Sequence, residues 1–362
     1  MRSYLGTWLF RSGRRERLQS KSDLPTEFFY GLPELRESGW SINLLEDKDL
    51  EMAPPLKPSA FALNKFSRFF GNIPLGMTLG LFKKKIRENI PADSPIIATT
   101  NNMGLALGLA KTLGILQNPV IFMAMGLLPL NPSWWQKKCL EKILKGIKTV
   151  TISRVEQAHL RNLFPEISIE YLPFGVDTKF WKRFEGKAGE KKYILALGND
   201  ANRDWETLIT AWNEGLPPLK IVTRLPVPQG PPNVEVIAGD WREQTLSDNK
   251  IKELYWGAQL VVIPLRETMQ PAGQSVCLQA MACGCPVIMS NIRGLWNQNE
   301  LKNGEHWRLV TPGQPLELRD AVIQLATDRE LRESMILAAS ELVEHRYNTR
   351  HMAASWEQLL EE

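Results

Sequence analysis

The sequence contains no hydrophobic run long enough to cross a membrane. A spanning helix needs about 20 consecutive apolar residues, whereas the longest apolar stretch, 103–130, contains Lys111, Gln117 and Asn118. The N-terminal stretch MRSYLGTWLFRSGRR has too short an apolar segment, and no small-residue cleavage site, for a signal peptide. We therefore expect a cytoplasmic protein whose first apolar segment is a buried strand.

Cysteine and histidine are scarce, with four residues of each type in the chain of 362. No cysteine belongs to a CxxC unit that is followed by a second such unit or by spaced histidines, so a zinc-type site is excluded. The cysteines are Cys139, Cys277, Cys283 and Cys285. We interpret them as reduced, packed thiols and expect no metal site; a catalytic thiol is the less favoured alternative.

The composition also lacks the bias of disordered or fibrous proteins, since 43% of the residues are hydrophobic and 23% are charged. A chain of 362 residues is too long for one typical core, so two domains are expected. Residues 1–185 hold 26 Lys and Arg against 17 Asp and Glu, a net charge of +9, whereas the remainder holds 18 against 23, a net charge of −5. This asymmetry indicates that the two halves face different partners or surfaces.

Short apolar runs alternate with helical patterns from Tyr193 onward. The apolar runs are YILAL, LKIVT, VEVIA, LVVIPL and PVIMS, and the helical patterns include DWETLITAW, SDNKIKELYWGA and LELRDAVIQLA. Strands that are apolar throughout and separated by helices are typical of parallel βαβ units that are covered on both faces. The pattern predicts a doubly wound α/β domain over 191–348.

The first half repeats this alternation more loosely. Its apolar runs are SYLGTWLF, SINLLE, PIIATT, PVIFMA, TVTIS and IEYLPF, and its helical patterns are TEFFYGLPELRESG, NMGLALGLAKTLG and 133–147. These predict a second parallel α/β domain over 1–185, joined to the other by a polar, aperiodic linker near 181–191. Because such sheets bind ligands beyond the carboxyl ends of their strands, two facing domains would enclose a cleft.

The segment QPAGQSVCLQAMACGCPVI, residues 270–288, predicts a turn of small residues, a helix that ends at Gly284, and a buried strand. Gly273, Gln274 and Ser275 stand where this helix begins. Backbone N–H groups and the positive end of the helix dipole at such a position suit a phosphate. The alternative is an ordinary turn in which Ser275 caps the helix.

Five motifs in succession carry a resemblance to a known family. They are VTISRVEQAHLRNLF, YLPFGVDTKFW, ILALGNDANRDWETLITA, GQSVCLQAMACGCPVI and LKNGEHWRLVTPGQPLELRDAVIQLATDRELRESM. Their order and spacing, from about Thr149 to Arg346, resemble the family 4 retaining glycosyltransferases of the GT-B fold, also called group 1 glycosyltransferases. The motif GQSVxLQAMACG resembles that of a variant subgroup, whereas the first half of the chain fits by pattern only.

The resemblance implies two Rossmann-like domains that face a cleft, with a nucleotide-sugar donor held mainly by the second. It also implies that a last helix, 349–362, crosses back to the first domain. The segment RHMAASWEQLLEE has the amphipathic pattern for that helix. From the pattern alone, an ordinary terminal helix is an equal alternative.

The residues that bind the donor in this family carry over only in part. The family usually has two glutamates where this sequence has Pro271 and Gln279, although the Gln279 amide can still hydrogen-bond ribose hydroxyls. After the strand glycine, Gly198, an arginine of the family is replaced by Asn199. Arg203 occupies the position of a lysine that binds the donor diphosphate in the family. The resemblance thus implies a donor site composed of Gly198, Asn199, Arg203, Gly273, Gln274, Ser275 and Gln279.

Three of the candidates have open alternatives. Glu267 is the nearest carboxylate that could replace the missing one, and with Arg203 it is our catalytic candidate; an exposed loop charge is the alternative. Arg203 could instead be a solvated charge that pairs with Asp204 or Glu206. Trp241 follows the strand VEVIA, where it would stack on the donor base or merely cover the end of its own strand.

The first domain provides the acceptor side in this reading. Many members of the family have a histidine after the strand that corresponds to PVIFMA, but this sequence has Met125 before Gly126. We therefore expect no histidine to act on the donor sugar. We place Asn101, Asn102, Met125 and Gly126 on the acceptor side.

These observations predict a glycosyltransferase that moves a sugar from a nucleoside diphosphate sugar to a hydroxyl of a saccharide or lipid-linked acceptor, with retention of configuration. No metal and no tightly bound cofactor are expected. The alternative is a catalytically weakened GT-B-like binding or scaffold subunit at a membrane surface, because the usual Glu, Arg and His are replaced. A nucleotide-sugar epimerase would need ionisable groups at the sugar that the sequence does not offer.

Two segments of the first domain, 65–89 and 131–148, interleave aromatic and basic residues. Such segments suit the interface of an anionic membrane, where rings insert and cations are attracted. The alternative is a pair of amphipathic core helices with solvated basic faces. No nucleic-acid recognition motif accompanies this charge, so nucleic acid is not an expected partner. A peripheral position on the inner face of a membrane is the further expectation.

Overall fold

The structure is a computed structural model that describes residues 4–20, 24–50, 90–91, 93–129, 131–185, 192–239 and 246–361. Besides residues 186–191 of the predicted linker, two sets of sequence predictions lie outside the described residues. The first is Trp241, the candidate for stacking on the base. The second is the more N-terminal of the two aromatic and basic segments, with Phe66, Phe69, Phe70, Lys83, Lys84, Lys85 and Arg87.

The chain divides into two compact units. The first unit comprises Met1–Ser22, Gly31–Leu172 and Ala353–Glu362, and the second comprises Asp23–Tyr30 and Pro173–Met352. The segment Asp23–Tyr30, which the sequence places in the first half, is therefore part of the second unit. Its contacts become important for the candidate site.

The first unit is built on a parallel sheet of six strands. These are β1 (Tyr4–Phe10), β2 (Ser41–Glu46), β3 (Ile96–Ala98), β4 (Val120–Ala124), β5 (Lys148–Thr151) and β6 (Ile169–Tyr171), in the order β2-β1-β3-β4-β5-β6. The predicted apolar runs form these strands; β3 and β4 are buried throughout, whereas β2 and β6, at the two ends of the sheet, are only partly buried. The core of this unit contains Phe122, Leu144, Leu160 and Ile169, which are at most 2% exposed.

The helices of the first unit differ from the predicted ones near the N-terminus. They span Arg14–Gln19, Leu32–Glu37, Asn101–Thr112, Trp134–Leu144 and Arg154–Leu163, with a 3-10 turn at Asp47–Leu50. The predicted helix TEFFYGLPELRESG is instead a 3-10 turn, Glu27–Phe29, followed by a separate helix. The break lies at Tyr30 and Gly31, whose φ values of 53° and 83° are incompatible with a continuous right-handed helix.

The second unit also has a parallel sheet of six strands. They are β7 (Tyr193–Leu197), β8 (Leu219–Thr223), β9 (Val234–Ala238), β10 (Ala258–Ile263), β11 (Val287–Ser290) and β12 (Arg308–Val310), in the order β12-β11-β10-β7-β8-β9. This is the doubly wound order in which the direction of winding reverses between β7 and β10. Ligands of such sheets bind at that switch point, beyond the carboxyl ends of the strands.

The helices of the second unit span Trp205–Ala211, Asp248–Gly257, Gln274–Ala282, Pro315–Thr327 and Arg329–Arg346, and the terminal helix is Thr349–Glu361. The terminal helix begins in the second unit, but its residues from Ala353 onward belong to the first. The predicted crossing helix is therefore confirmed. Within the described residues, no helix combines the length and the hydrophobicity that a membrane crossing requires.

Candidate functional site

The loops that follow β7 and β10 form one continuous surface at the switch point of the second sheet. The backbone N–H of Asp204 donates to the carbonyl of Pro264 (3.0 Å), and that of Arg266 donates to the carbonyl of Asn202 (2.8 Å). Between these two hydrogen bonds, Arg203 and Leu265 form an antiparallel bridge. Residues that are far apart in the sequence are thus fixed side by side.

Arg203 lies at the centre of this surface and is only 3% exposed. Its Nε donates to the carbonyl of Leu197 (3.2 Å), and its Nη1 lies 3.2 Å from Oδ2 of Asp200. The guanidinium passes over Gly198, where a Cβ atom would overlap with it. Gly198 is therefore required both for its φ of 152° and for the space that Arg203 occupies.

The solvated alternative for Arg203 is wrong. The side chain is buried and its ion pair is with Asp200, whereas Asp204 caps the following helix by accepting from the backbone N–H (3.1 Å) and Oγ1 (2.6 Å) of Thr207. Burial lowers the pKa of the Arg203 guanidinium, while the negative charge of Asp200 opposes this shift. A buried charge in this position contributes to the local structure, and its positive potential favours an anion nearby.

The turn before the helix Gln274–Ala282 brings this helix against Arg203. Gly273 is the N-cap residue, with φ of 76°, and no side chain caps the helix. The alternative in which Ser275 is the cap is therefore wrong, because Ser275 lies inside the first turn. A Cβ atom on Gly273 would stand 2.8 Å from Cγ2 of Ile263 and 3.2 Å from Nη1 of Arg203.

Two features therefore meet at the switch point, namely a buried guanidinium and a helix N-terminus that has no side-chain cap. Both attract negative charge, since the first-turn N–H groups carry the positive end of the helix dipole. Nη1 of Arg203 has no hydrogen-bond acceptor among the described residues, although it is ion-paired with Asp200. The arrangement is chemically suited to a phosphate or diphosphate group.

Asn199 holds the ends of three neighbouring strands together. Its Nδ2 donates to the carbonyl of Gly239 (2.9 Å), and its Oδ1 accepts from the backbone N–H of Arg224 (2.8 Å) and from Oγ1 of Thr223 (3.1 Å). These bonds fix the loop that leads to Arg203.

Gln279 is buried in the helix Gln274–Ala282 and is hydrogen-bonded at both ends of its amide. Its Nε2 donates to Oε1 of Glu27 (2.8 Å), and its Oε1 accepts from the hydroxyl of Tyr255 (3.3 Å). Sequence reasoning missed Glu27 and Tyr255. The only signal in the sequence is the position of Glu27 among aromatic residues, in TEFFY. Such neighbours favour burial of the carboxylate without a cation to pair with it.

Glu27 is fully buried and accepts a second hydrogen bond on the same oxygen, from Nε1 of Trp181 (2.9 Å). Burial raises the pKa of this carboxyl to about 7, although hydrogen bonds from its own backbone, Trp181 and Gln279 favour the ionised form. Its other oxygen, Oε2, has no hydrogen-bond partner among the described residues. A buried carboxyl whose pKa is strongly raised, next to Gln279, makes this cluster a candidate functional site.

Glu267 is exposed in the loop after β10, and its Oε1 accepts from the backbone N–H of Arg293 (3.0 Å). In the same loop, Oε1 of Gln270 accepts from Nδ2 of Asn202 (2.8 Å). These bonds connect the loops that follow β7, β10 and β11. The described contacts give Glu267 a role in holding these loops; its catalytic role stays a prediction.

Three of the four acceptor-side candidates meet at the carboxyl ends of β3 and β4. The side chain of Asn101 exchanges two hydrogen bonds with the backbone of Met125, at 2.9 and 3.0 Å. Gly126 follows with φ of 63°, and the buried Glu156 accepts from the next backbone N–H, that of Leu127 (2.8 Å). Burial raises the pKa of the Glu156 carboxyl. Asn102, the fourth candidate, is exposed on the first turn of its helix.

In the part of the chain that the structure describes, no group of three or more His, Cys, Asp or Glu side chains is arranged to hold a metal ion. All four cysteines are free thiols, and Cys277, Cys283 and Cys285 are buried in or just after the helix Gln274–Ala282.

Residues 221–328 match the sequence model of the family described as "Glycosyl transferases group 1". The matched range runs from β8 to the end of the helix Pro315–Thr327 and includes the Gly273 turn. No curated protein matches the sequence significantly.

Several solved structures share the fold of the whole chain. Sucrose-phosphate synthase from Thermosynechococcus elongatus is 16% identical, with a TM-score of 0.71 and coverage of 100% of this chain and 98% of that one. A glycosyltransferase from Rickettsia africae is 14% identical (TM-score 0.67, coverage 100% and 98%), and Anabaena HepE in complex with UDP is 12% identical (TM-score 0.64, coverage 100% and 100%). The chain therefore has the GT-B fold, and residues 221–328 are similar to the group 1 glycosyltransferases.

Proposed function

We propose that this protein transfers a sugar from a nucleoside diphosphate sugar to a hydroxyl of an acceptor, with retention of the anomeric configuration. The observation that carries the proposal is the meeting of Arg203 with the Gly273 turn at the switch point of the second sheet. A buried cation beside a helix N-terminus is the arrangement that a leaving diphosphate needs.

The proposed chemistry follows from where charge builds up. As the bond between the sugar and the donor diphosphate breaks, negative charge accumulates on the leaving phosphate oxygen. Arg203 and the N–H groups of the first helical turn stabilise this charge, and prearranged donors of this kind are usually the largest contribution to catalysis. Retention by attack from the leaving-group face needs no enzymic nucleophile, so the Pro271 position does not require a carboxylate.

The donor is proposed to be held by Gly198, Asn199, Arg203, Gly273, Gln274, Ser275 and Gln279, without a metal or a tightly bound cofactor. One structural relative was solved with UDP and in a further structure with UDP-glucose. This makes uridine nucleotides the first ones to test here, while the sugar and the base stay open. Asn101, Met125 and Gly126 support the proposed acceptor side, for a saccharide or a lipid-linked sugar.

The second candidate is a GT-B-like binding or scaffold subunit with little catalytic power. Two observations favour it. Arg203 is already ion-paired with Asp200, and both ends of the Gln279 amide are hydrogen-bonded within the protein. In this case nucleotides would bind without being turned over.

A peripheral contact with an anionic membrane is also proposed. Trp134 and Trp135 are 59% and 62% exposed, and Lys137 and Lys138 follow them on the same helix. Exposed indole rings beside lysines suit the region of lipid headgroups. This surface supports a lipid-linked acceptor and a place on the inner face of a cell membrane.

The test is a thermal-shift screen of nucleotides and nucleotide sugars, followed by a transfer assay with the donors that stabilise the protein. A ligand at 100 times its dissociation constant adds about 2.7 kcal/mol of stability. Stabilisation with sugar transfer supports the enzyme, and nuclear magnetic resonance of the product then reports its anomeric configuration. Stabilisation without transfer to any acceptor favours the scaffold, and no stabilisation by any nucleoside diphosphate contradicts both.

A further inference from the structure

The helix Gln274–Ala282 has an amide where its family usually has a carboxylate, and the structure brings a carboxylate to that amide from another part of the chain. Glu27, in the 3-10 turn Glu27–Phe29, accepts from Nε2 of Gln279 at 2.8 Å. The segment that carries Glu27 packs with the second unit although it precedes most of the first. The two side chains form one polar unit inside the nucleotide-binding domain.

The hydrogen bonds of this cluster have one consistent direction when Glu27 is ionised, because a carboxylate can only accept. Nε1 of Trp181 can only donate, so Oε1 of Glu27 accepts from it. The same oxygen accepts from Nε2 of Gln279, so the amide nitrogen faces Glu27. The amide oxygen of Gln279 is turned the other way, towards the hydroxyl of Tyr255.

Glu27 would be an unfavourable choice for a purely structural role. Among the described residues no cation pairs with it, and the charge that acts on it, that of Asp177, has the same sign. Its Oε2 is buried without a hydrogen bond in the described structure. Burying such a group costs free energy unless it is fully paired, so a glutamine or an apolar residue would satisfy the packing better.

We infer that Glu27 is a positioning residue of the donor site, which holds the Gln279 amide in one orientation for the nucleotide. In that orientation, the second N–H and the second lone pair of the amide are presented to hydroxyl groups of the donor ribose. The inference rests on the proposed function, and it adds a residue outside every family motif to the donor site. Glu27 and Gln279 together replace the single carboxylate that the helix lacks.

The first experiment compares the wild type with Glu27→Met, which fills a similar volume without an acceptor. Dissociation constants for UDP and for 2′-deoxy-UDP are measured by calorimetry on the full chain. We expect the wild type to prefer UDP, and Glu27→Met to bind UDP at least tenfold more weakly and to lose this preference. A structural defect alone would weaken both nucleotides equally, and that result overturns the inference.

Trp181→Phe provides a matched control. It removes the other donor to Oε1 of Glu27 but leaves the bond between Glu27 and Gln279 in place. We expect it to retain the preference for UDP. If Trp181→Phe loses the preference as Glu27→Met does, the cluster acts by packing and the inference fails.

An exchange of the two side chains tests the same point without changing their volume. Gln279→Glu places two carboxyls within hydrogen-bonding distance and should weaken UDP binding. The double variant Glu27→Gln with Gln279→Glu again has one carboxyl and one amide, and should regain binding to within about threefold of the wild type. Failure of this rescue contradicts the inference.

The outcomes separate this inference from the proposed function. If the wild type binds UDP, or another nucleoside diphosphate used in its place, and Glu27→Met binds it equally well, only the role of Glu27 is refuted. If the wild type binds no nucleoside diphosphate at all, the proposed function and the role of Glu27 fail together.

Discussion

Arg203 and Gly273 follow different strands of the second sheet, yet a Cβ atom on Gly273 would stand 3.2 Å from Nη1 of Arg203. The guanidinium thus reaches the first residue of the helix Gln274–Ala282. The hydrogen bond from Nε to the carbonyl of Leu197 and the backbone bridge to Leu265 hold it there. The proposed donor site depends on this contact.

Gly273→Val should abolish nucleotide binding. The new side chain would meet Ile263 at 2.8 Å and Arg203 at 3.2 Å, and φ of 76° is a backbone conformation that a β-branched residue rarely adopts. Strain of this kind costs of order 1–3 kcal/mol. Calorimetric titration with UDP and a melting curve of the free protein measure the two effects.

Gly313→Val is the matched control, because Gly313 has φ of 72° but nothing lies within 4 Å of its added Cβ atom. It should lose stability through backbone strain and still bind the nucleotide. If Gly273→Val binds as well as this control, the turn does not contact the donor.

Arg203→Lys should keep the charge and lose the forked geometry of the guanidinium. A charge-assisted hydrogen bond contributes about 1.5–3 kcal/mol, so kcat/KM for the donor should fall by roughly 10- to 150-fold. Arg203→Ala is less informative, because the side chain is buried and its loss would also lower stability. Steady-state kinetics and the melting temperature separate the two effects.

Asp200→Asn is the control for this prediction. It removes the negative charge that pairs with Arg203 and leaves the guanidinium in place. The side chain of Asp200 is 39% exposed. Donor affinity should be maintained or increase. Equal losses of kcat/KM in Asp200→Asn and Arg203→Lys would mean that the ion pair, and not a contact with the donor, is what matters.

Glu27 should make the stability of the protein depend on pH between about 4.5 and 7. Its pKa is about 7 in the folded protein against 4.5 for the model carboxyl. In this range the folded carboxyl keeps its proton while the unfolded one is ionised, so the free energy of unfolding falls as pH rises and levels off above 7. At about 1.4 kcal/mol per pKa unit, the effect of a shift from 4.5 to about 7 is roughly 3 to 4 kcal/mol at most.

Urea unfolding of the wild type and Glu27→Gln at pH 5, 6, 7 and 8 measures this effect. Asp177 and Tyr255, the titratable groups that influence or adjoin the cluster, are present in both proteins. The stability of the wild type relative to the variant should decline from pH 5 to pH 7. A difference that is constant over this range would show that Glu27 keeps one protonation state.

Replacement of Trp134 and Trp135 by alanine should weaken adhesion of the full chain to anionic vesicles. Both rings are exposed and lie 4.5 Å apart, between centroids, beside basic residues. Adhesion of the wild type should decrease with salt, because attraction to the surface fades over about 10 Å at 0.1 M salt. Vesicle sedimentation measures it.

Leu316→Ala is the control, since Leu316 is an exposed apolar residue (67%) of the second unit. It should not change sedimentation. If the wild type sediments equally with neutral and anionic vesicles at low salt, the acceptor need not be at a membrane.

The sequence was sufficient for the strands other than β12 and for the order of the main elements. Apolar runs such as YILAL and LVVIPL became β7 and β10 because strands buried on both faces admit few polar residues. The strand β12, Arg308–Val310, was not predicted, since three residues carry too little periodicity. The prediction of one continuous helix over 26–39 was wrong because Tyr30 adopts a positive φ, which tyrosine as a residue type does not indicate.

The candidate site was predictable only where it lies along one motif. Gly273 could be selected because it lies in a turn of small residues that opens a helix, whereas Gly198 was selected through the resemblance to the family motif. The burial of Arg203 and the partnership of Glu27 with Gln279 depend on contacts between distant segments, which no local pattern encodes. For the same reason, the sequence suggested an exposed Arg203 and gave no sign of Asp200 as its partner.

The existence of this donor site can be measured by calorimetric titration of the wild type and Gly273→Val with the nucleoside diphosphate that gives the largest thermal shift. We predict saturable binding by the wild type and none by Gly273→Val, while Gly313→Val still binds. Absence of binding by the wild type, or equal binding by the wild type and Gly273→Val, would contradict a donor site formed by Arg203 and the Gly273 turn.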